Sequence, residues 1–480
     1  MPVSLRPWLV GLACAATLAP LRVQAQPDTE LDALRAELMA LRQEYEDRVH
    51  QIELRLEQLE ASAPDAGAAT PHAAAGAVAP ATDGATSPDV APTAGAASRA
   101  TAYNPAMSVV LTGTYSHLSQ DPADYAIAGF FPGGDEIGPG ERNFSLGESE
   151  VTLSASVDPY FAAAVTFALT GEGELEVEEA FARTTALPAG LTLKGGRFFS
   201  GIGYLNEVHA HAWDFADQPL AYQALFGGQL KQDGVQLKWL APTDLFLEFG
   251  AEAGNGDHFP GTREDANGLG NYALFTHVGG DVGDSIGWRA GLSWVDADAS
   301  GRDYADVDGA DSPVMNAFSG QSRTWIVDAT LKWAPGGDAR RRALELQAEY
   351  LRREEDGRLA FDLEGAALDG SFRNRQDAWY AQAVYRLAPR WRAGLRYDAL
   401  DSGDPRIGLV RDGTLTRGDV PLLAPATPSR VTVMTDWSPS EFSRLRAQVA
   451  WDDSRDSGDT DEQWLLQYIH AIGAHGAHKF

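Results

Sequence analysis

The sequence predicts an all-β transmembrane antiparallel barrel of about 16 strands, preceded by an α-helical coiled coil. Three observations predict it. Hairpins with one apolar and one polar face recur from Asn104 onward. No apolar run after Ala25 approaches the roughly 20 residues of a spanning helix. Tight turns also alternate with longer polar connections, the parity of a barrel that closes its backbone hydrogen bonds in lipid.

Residues 1–25 carry Arg6, an apolar run from Trp8 to Leu21, and Val-Gln-Ala before Gln26, which reads as a cleaved secretory signal. The sole cysteine, Cys14, lies inside it, so the exported chain forms no disulfide. A lipoprotein reading of Cys14 competes, but Gly11 stands where such a signal wants a branched apolar residue. Removing Arg6 and Arg22 from 38 basic residues leaves 36 against 68 acidic, a net charge of −32. That balance excludes nucleic acid as a partner.

Residues 26–60 form the coiled coil. Leu31, Leu34, Leu38, Leu41, Tyr45, Val49, Ile52, Leu56 and Leu59 are spaced by threes and fours, with one stutter at Tyr45 to Val49. So narrow a stripe is marginal alone in water, which implies self-association, with a single amphipathic helix as the alternative. Residues 61–103 are a flexible linker: positions 61–102 hold 18 Ala and 5 Pro, and nothing there can pack a core.

Residues 104–480 are the barrel. Tight turns are expected at 158–161, 187–190, 241–244, 283–285, 334–338, 388–390 and 438–441. The other connections run 117–144, 171–173, 200–231, 255–270, 297–322, 355–375, 402–428 and 454–461. One hairpin shows the pattern: Val235, Leu237, Trp239, Leu245, Leu247 and Phe249 should face lipid, while Gln236, Lys238, Glu248 and Glu252 should line water. Trp325 and Trp333 bracket one strand, and Trp379, Trp391, Tyr397, Trp437, Trp451 and Trp464 sit near other strand ends, like aromatic girdles. The final strand, 463–480, ends in Phe480, which resembles the signal that outer-membrane barrels present to the barrel-assembly machinery, although His470 and His478 fall on its apolar register and weaken the match.

The coiled-coil start, the linker and the aromatic carboxy-terminus resemble the phosphate-selective porin O and P superfamily of Gram-negative bacteria. Asn104-Pro-Ala-Met-Ser108, Phe144-Ser-Leu-Gly-Glu-Ser-Glu150, the stretch from Leu187 to Phe199 and the stretch from Gly473 to Phe480 are also similar to a proteobacterial group labelled zinc-regulated, or TonB-dependent, outer-membrane receptors. The resemblance implies an outer-membrane location, a periplasmic coiled coil, a homotrimer and a third external loop folded into the barrel. Energised receptors have 22 strands and a plug domain, whereas a coiled coil and a linker precede this barrel.

That third loop is 200–231. It is too apolar and aromatic to be simply solvated, and we expect it to constrict the pore with Tyr204, Glu207, Trp213, Asp214 and Asp217. Inward parity puts Glu148, Glu150, Glu174, Glu176 and Glu178 on an acidic lumen wall, and Arg386, Arg392, Arg396, Arg444 and Arg446 on a basic one. Facing each other across the pore, they would set up a transverse field that selects solutes, unless they are ordinary polar lumen residues. Phosphate selectivity is not expected of so acidic a chain.

His209-Ala-His211 could supply half of a zinc site, which nearby carboxylates would complete. Ordinary loop histidines are the simpler reading, as for His470, His475 and His478. No resident cofactor is expected; zinc enters only as a bound or transported ion. No nucleophile, phosphate loop or cysteine cluster points to an enzyme. The expected function is passive diffusion of small hydrophilic solutes or ions. The alternatives are uptake of zinc or another divalent metal, and a structural tether of the envelope.

Overall fold

A computed structural model describes residues 105–134, 137–169, 173–263, 265–455 and 457–473. The signal, coiled coil, linker, His475, His478 and Phe480 lie outside the described residues. Among the described residues no helix is long and apolar enough to cross a membrane.

The described residues are mostly strand. The first half contributes β1 (Ala106–Leu118), β2 (Asn143–Leu146), β3 (Ser149–Ser156), β4 (Phe161–Leu169), β5 (Leu175–Thr184), β6 (Leu191–Phe199), β7 (Lys231–Leu240), β8 (Phe246–Gly254) and β9 (Asn271–Val282). The second half contributes β10 (Ile286–Val307), β11 (Pro313–Trp333), β12 (Ala343–Phe361), β13 (Leu368–Ala388), β14 (Trp391–Asp401), β15 (Arg406–Ile407), β16 (Ser429–Ser440), β17 (Ser443–Asp452) and β18 (Asp461–Gly473). β2 and β15 are short segments lying against β1 and β13. The other strands form a closed antiparallel barrel of 16 strands. It closes where β1 pairs with β18, from Ser108 opposite Gly473 to Leu118 opposite Gln463. Closure leaves no open edge, the condition for a sheet to sit in lipid.

Six of the seven tight turns fall where the sequence puts them, because turn residues such as Pro and Gly interrupt the alternation there, and at the seventh β16 runs on through Ser440, which moves the turn to 441–442. On β11 the outward row Trp325, Val327, Ala329, Leu331 and Trp333 is exposed. From Trp325 to Trp333 is about 27 Å along the strand, or about 20 Å of height at the usual tilt of about 40°. Past Trp325 the same row turns polar, with Arg323, Gln321 and Ser319, and on β12 Arg352, Glu354 and Asp356 follow Tyr350. The apolar band therefore has a sharp upper edge. Trp294 beside Trp325, Trp379 beside Tyr397, and Trp391 stacked on Trp437 place aromatics on that outer face.

Two expected loops are strand. Most of 297–322 extends β10 and β11, and most of 355–375 extends β12 and β13, leaving only 308–312 and 362–367 as connections. Polar outward residues made these stretches look like solvated loops. Their inward residues, however, include Tyr304, Phe318, Leu359, Phe361 and Phe372, which pack against Phe131, Ile407, Leu409, Val420, Leu422 and Leu423 from the segments 119–142 and 402–428. The tall wall thus supports two connections that fold inward over the mouth.

Candidate functional site

The loop 200–231 lies inside the barrel. Its neck is tied by Asn206, fully buried, whose Nδ2 donates to the carbonyls of Ser200 (2.8 Å) and Leu230 (3.0 Å) while its Oδ1 accepts from the Leu230 amide (2.7 Å). Below the neck, wall carboxylates take the loop's backbone. Glu252 accepts from the Ser200 hydroxyl (2.5 Å) and the Gly201 amide (2.8 Å). Glu349 accepts from the amides of Tyr204 (3.3 Å) and Leu205 (3.1 Å) and from the hydroxyls of Tyr222 (2.9 Å) and Tyr380 (2.6 Å).

The middle of the loop is a short helix, α1 (Leu220–Phe226), every residue of which is buried. Asp398 accepts from the Leu220 amide at its start (3.0 Å), and Arg353 donates to the Leu225 carbonyl at its end (3.2 Å). That placement matches the sign of the helix dipole. Leu220, Leu225 and Tyr222 pack with Ile127, Ile202, Ile326, Leu351 and Tyr380, so an apolar core occupies much of the lumen.

The basic wall holds the loop's acids. Arg392 donates to Asp214 (2.8 Å) and to Asp436 (2.6 Å). Arg396 and Arg430 both pair with Asp217, at 3.0 and 2.9 Å. Burial alone would raise the Asp217 carboxyl, but these two guanidinium groups more than offset it and hold it below the usual aspartate range. Arg444 and Arg446 donate to the Trp213 carbonyl, at 3.3 and 2.6 Å, and Arg386 to the Pro389 carbonyl at 3.3 Å.

The acidic wall holds the loop's histidines. His209 Nδ1 lies 3.1 Å from Glu178 and 3.2 Å from Glu150, and its Nε2 lies 3.1 Å from Glu179. His211 Nδ1 lies 2.6 Å from Glu150. Burial alone would lower the His209 imidazole, but the carboxylates of Glu178 and Glu150 prevail and hold it well above its ordinary value.

Several expectations need correction. Glu207, Asp214 and Asp217 do not present unpaired charge to solute: each is bonded to the wall, Glu207 through Lys238 at 2.9 Å. Burial opposes ionisation of Glu207, yet Lys238 and Lys194 draw it down to about 2. Gln236 and Glu252 face inward but are buried under the loop rather than lining open water. The two walls are not simply opposed. Only β18 and β1 separate β17 from β3, while β5 and β14 lie on nearly opposite sides. The loop inserts complementary charge against both. Glu174 and Glu176 are exposed and Glu148 half-buried, so of the five acids Glu150 and Glu178 meet the histidines. Tyr204 lies with its ring 5.2 Å from the Arg289 guanidinium, and Trp213 Nε1 donates to the Val208 carbonyl at 2.6 Å.

The sequence reading missed Glu179, Arg430 and Glu349. Glu179 turns inward beside Glu178 because the β4–β5 register slips between Thr166 and Phe167. Two consecutive glutamates in an alternating strand are a signal for such a bulge. Arg430 shares the inward parity of Thr432 and Asp436, and that parity alone could have found it.

No family model matches the sequence. An uncharacterized protein of Aquifex aeolicus (strain VF5) is 30% identical over 357 residues, covering 71% of this chain and 71% of its own length. The chain belongs to the family of that Aquifex protein. Among solved structures, a loop-deletion form of OmpT, an outer membrane protein of Vibrio cholerae, aligns at 14% identity with a TM-score of 0.49, covering 77% of this chain and 99% of that one. OprB of Pseudomonas putida aligns at 12% and 0.46, covering 77% and 94%. The outer membrane channel DcaP of Acinetobacter baumannii aligns at 12% and 0.45, covering 77% and 97%.

Proposed function

We propose that the chain is a porin-like channel of the Gram-negative outer membrane, allied to the phosphate-selective porin O and P superfamily, in which small hydrophilic solutes or ions diffuse passively past the loop 200–231. The observation that carries this reading is the two-sided wall: an outward band ending in aromatic residues, and an inward surface of charged and polar groups bonded to a loop inside the lumen. A barrel meant only to tether would have no need of a charged interior around a folded-in loop.

The path runs beside the loop rather than through a wide bore. On the inner faces of β9 and β11, Asn271 Oδ1, Thr324 Oγ1, both Asp328 carboxylate oxygens and Thr330 Oγ1 are buried with no hydrogen-bond partner in the protein. Buried polar atoms without partners cost free energy unless water reaches them. These atoms are closed to solvent as the loop stands, and water entering the seam between the loop and this wall would satisfy them and put the Asp328 carboxyl beside the path. Tight turns and both chain ends would then face the periplasm, where the coiled coil would hold three copies together as a homotrimer.

Purified full-length protein in a planar bilayer under a salt gradient tests this. Discrete conductance steps without an energy source are expected, with a reversal potential favouring cations. A bilayer that stays silent at protein densities where other porins conduct overturns the reading.

A further inference from the structure

His209 is held on both ring nitrogens by carboxylates from two strands, and its Nδ1 faces two of them at once, Glu178 Oε2 at 3.1 Å and Glu150 Oε2 at 3.2 Å. One N–H points in one direction and serves one acceptor well. Two carboxylates converging on one ring nitrogen is instead the arrangement of donors around a shared cation. The ligand atoms of Glu150, Glu178 and His209 all lie within 4.8 Å of one another. Metal–donor distances of about 2.0–2.2 Å place neighbouring tetrahedral donors about 3.3–3.6 Å apart, close to the 3.1 and 3.2 Å from His209 Nδ1 to the two carboxylates.

The charge count points the same way. Glu150, Glu178 and Glu179 are all buried, and Glu148 adds a fourth carboxyl that hydrogen-bonds Glu178. The two imidazoles His209 and His211 bond Glu150, Glu178 and Glu179, and as neutral rings they would bring no positive charge to them. Uncompensated buried charge is expensive. The surroundings also suit a ligand role for Nδ1, because Nε2 lies 3.1 Å from Glu179. A proton on Nε2 given to that carboxylate fixes the tautomer that leaves the Nδ1 lone pair free, the usual way a protein orients a histidine ligand.

We propose that Glu150, Glu178 and His209 bind a divalent first-row transition metal of the zinc class. Glu179 orients His209, and His211, 2.6 Å from the other Glu150 oxygen, supports the site from the adjoining face. Mixed imidazole and carboxylate donors favour zinc, nickel or copper over magnesium or calcium. The metal staples the loop 200–231 to β3 and β5. This inference stands apart from the channel reading: a barrel that conducts but binds no metal would overturn only this one.

The test is calorimetric titration of Zn2+ into full-length protein, folded in detergent and stripped of metal. One saturable site is expected, weakened by at least about tenfold in Glu178→Gln and in His209→Gln, and unchanged in the loop variant His258→Ala. Co2+ in place of Zn2+ should give wild-type protein a visible d–d absorption that both ligand variants lose. Retained heat-modifiable mobility on gels shows that the variants fold. If either does not, the cobalt spectrum of wild-type protein decides, since octahedral, all-oxygen features would contradict an imidazole site. Absence of saturable zinc uptake, or uptake that both ligand variants retain in full, overturns the proposal.

Discussion

Asp217 of the inserted loop and Arg396 of β14 form an ion pair at 3.0 Å inside the barrel, and Arg430 of β16 closes on the same carboxylate at 2.9 Å. Asp398 and Asp452 lie behind these arginines at 3.0 to 3.7 Å, and Gln448 donates to Asp217 at 2.6 Å. An unfolded aspartate titrates near 3.9, and the folded value of Asp217 lies below its ordinary one. The stabilisation is therefore full above about pH 4 and is lost as pH falls through the folded value. Asp217→Asn should cost about 3 kcal/mol at pH 7, read by urea unfolding in detergent. The gap from wild type should narrow as pH drops below about 4. A gap that stays constant down to pH 3 contradicts the ionic assignment.

The pair of Asp214 with Arg392 calls for a different measurement, because Arg392 keeps Asp436 when Asp214 is lost. Asp214→Asn should therefore destabilise by about 1–2 kcal/mol, less than a pair broken outright. Its clearer effect should be on the pore: with one clasp open, single-channel current should become larger and noisier. A double-mutant cycle with Arg392→Gln should return a coupling of about 1 kcal/mol or more. Additive effects would mean that the 2.8 Å contact does not hold the loop.

Strand parity was legible in the sequence because an apolar outer face and a polar inner face impose a period of two, and Val235, Leu237 and Trp239 keep it strictly. The height of the wall was not. Tyr304, Phe318 and Leu359 alternate with polar residues that look like loop, and their apolar character is explained only by segments more than 40 residues away that fold onto them. The charged residues of the site were readable one by one, as with Glu150, Glu178, His209 and Arg396. Their pairing was not, because local alternation says nothing about which wall a loop of 32 residues will touch.

The loop neck makes a sharper prediction. Asn206 makes three hydrogen bonds across the two ends of the loop, so Asn206→Ala would strip the Ser200 carbonyl and the Leu230 amide of that partner, while the Leu230 carbonyl keeps the Ser200 amide at 2.9 Å. A cost of about 2–4 kcal/mol follows from the desolvation penalty of such groups. Because the neck lies at the junction with β6 and β7, the opening should be local. Limited proteolysis should therefore cut between residues 200 and 231 in the variant while the barrel persists. Resistance equal to wild type would show that the wall contacts alone hold the loop.

Asp328 tests where ions travel. Its carboxylate is buried on the inner face of β11 with neither oxygen bonded to protein. Gly291 opposite it on β10 makes the room: a Cβ there would lie 2.0 Å from Oδ2 of Asp328 and 2.8 Å from the His277 ring. If the seam is hydrated, a charge about 7 Å from a passing ion is worth about 0.6 kcal/mol in water, a factor of about 3 in relative permeability. Asp328→Asn should move the reversal potential toward anions by that factor while leaving the barrel folded. Gly291→Ala should instead cut conductance for both ions, because the added methyl group meets the carboxylate and narrows the seam. An unchanged reversal potential in Asp328→Asn would move the conducting path away from β9 to β11 and toward the arginines of β14 to β17.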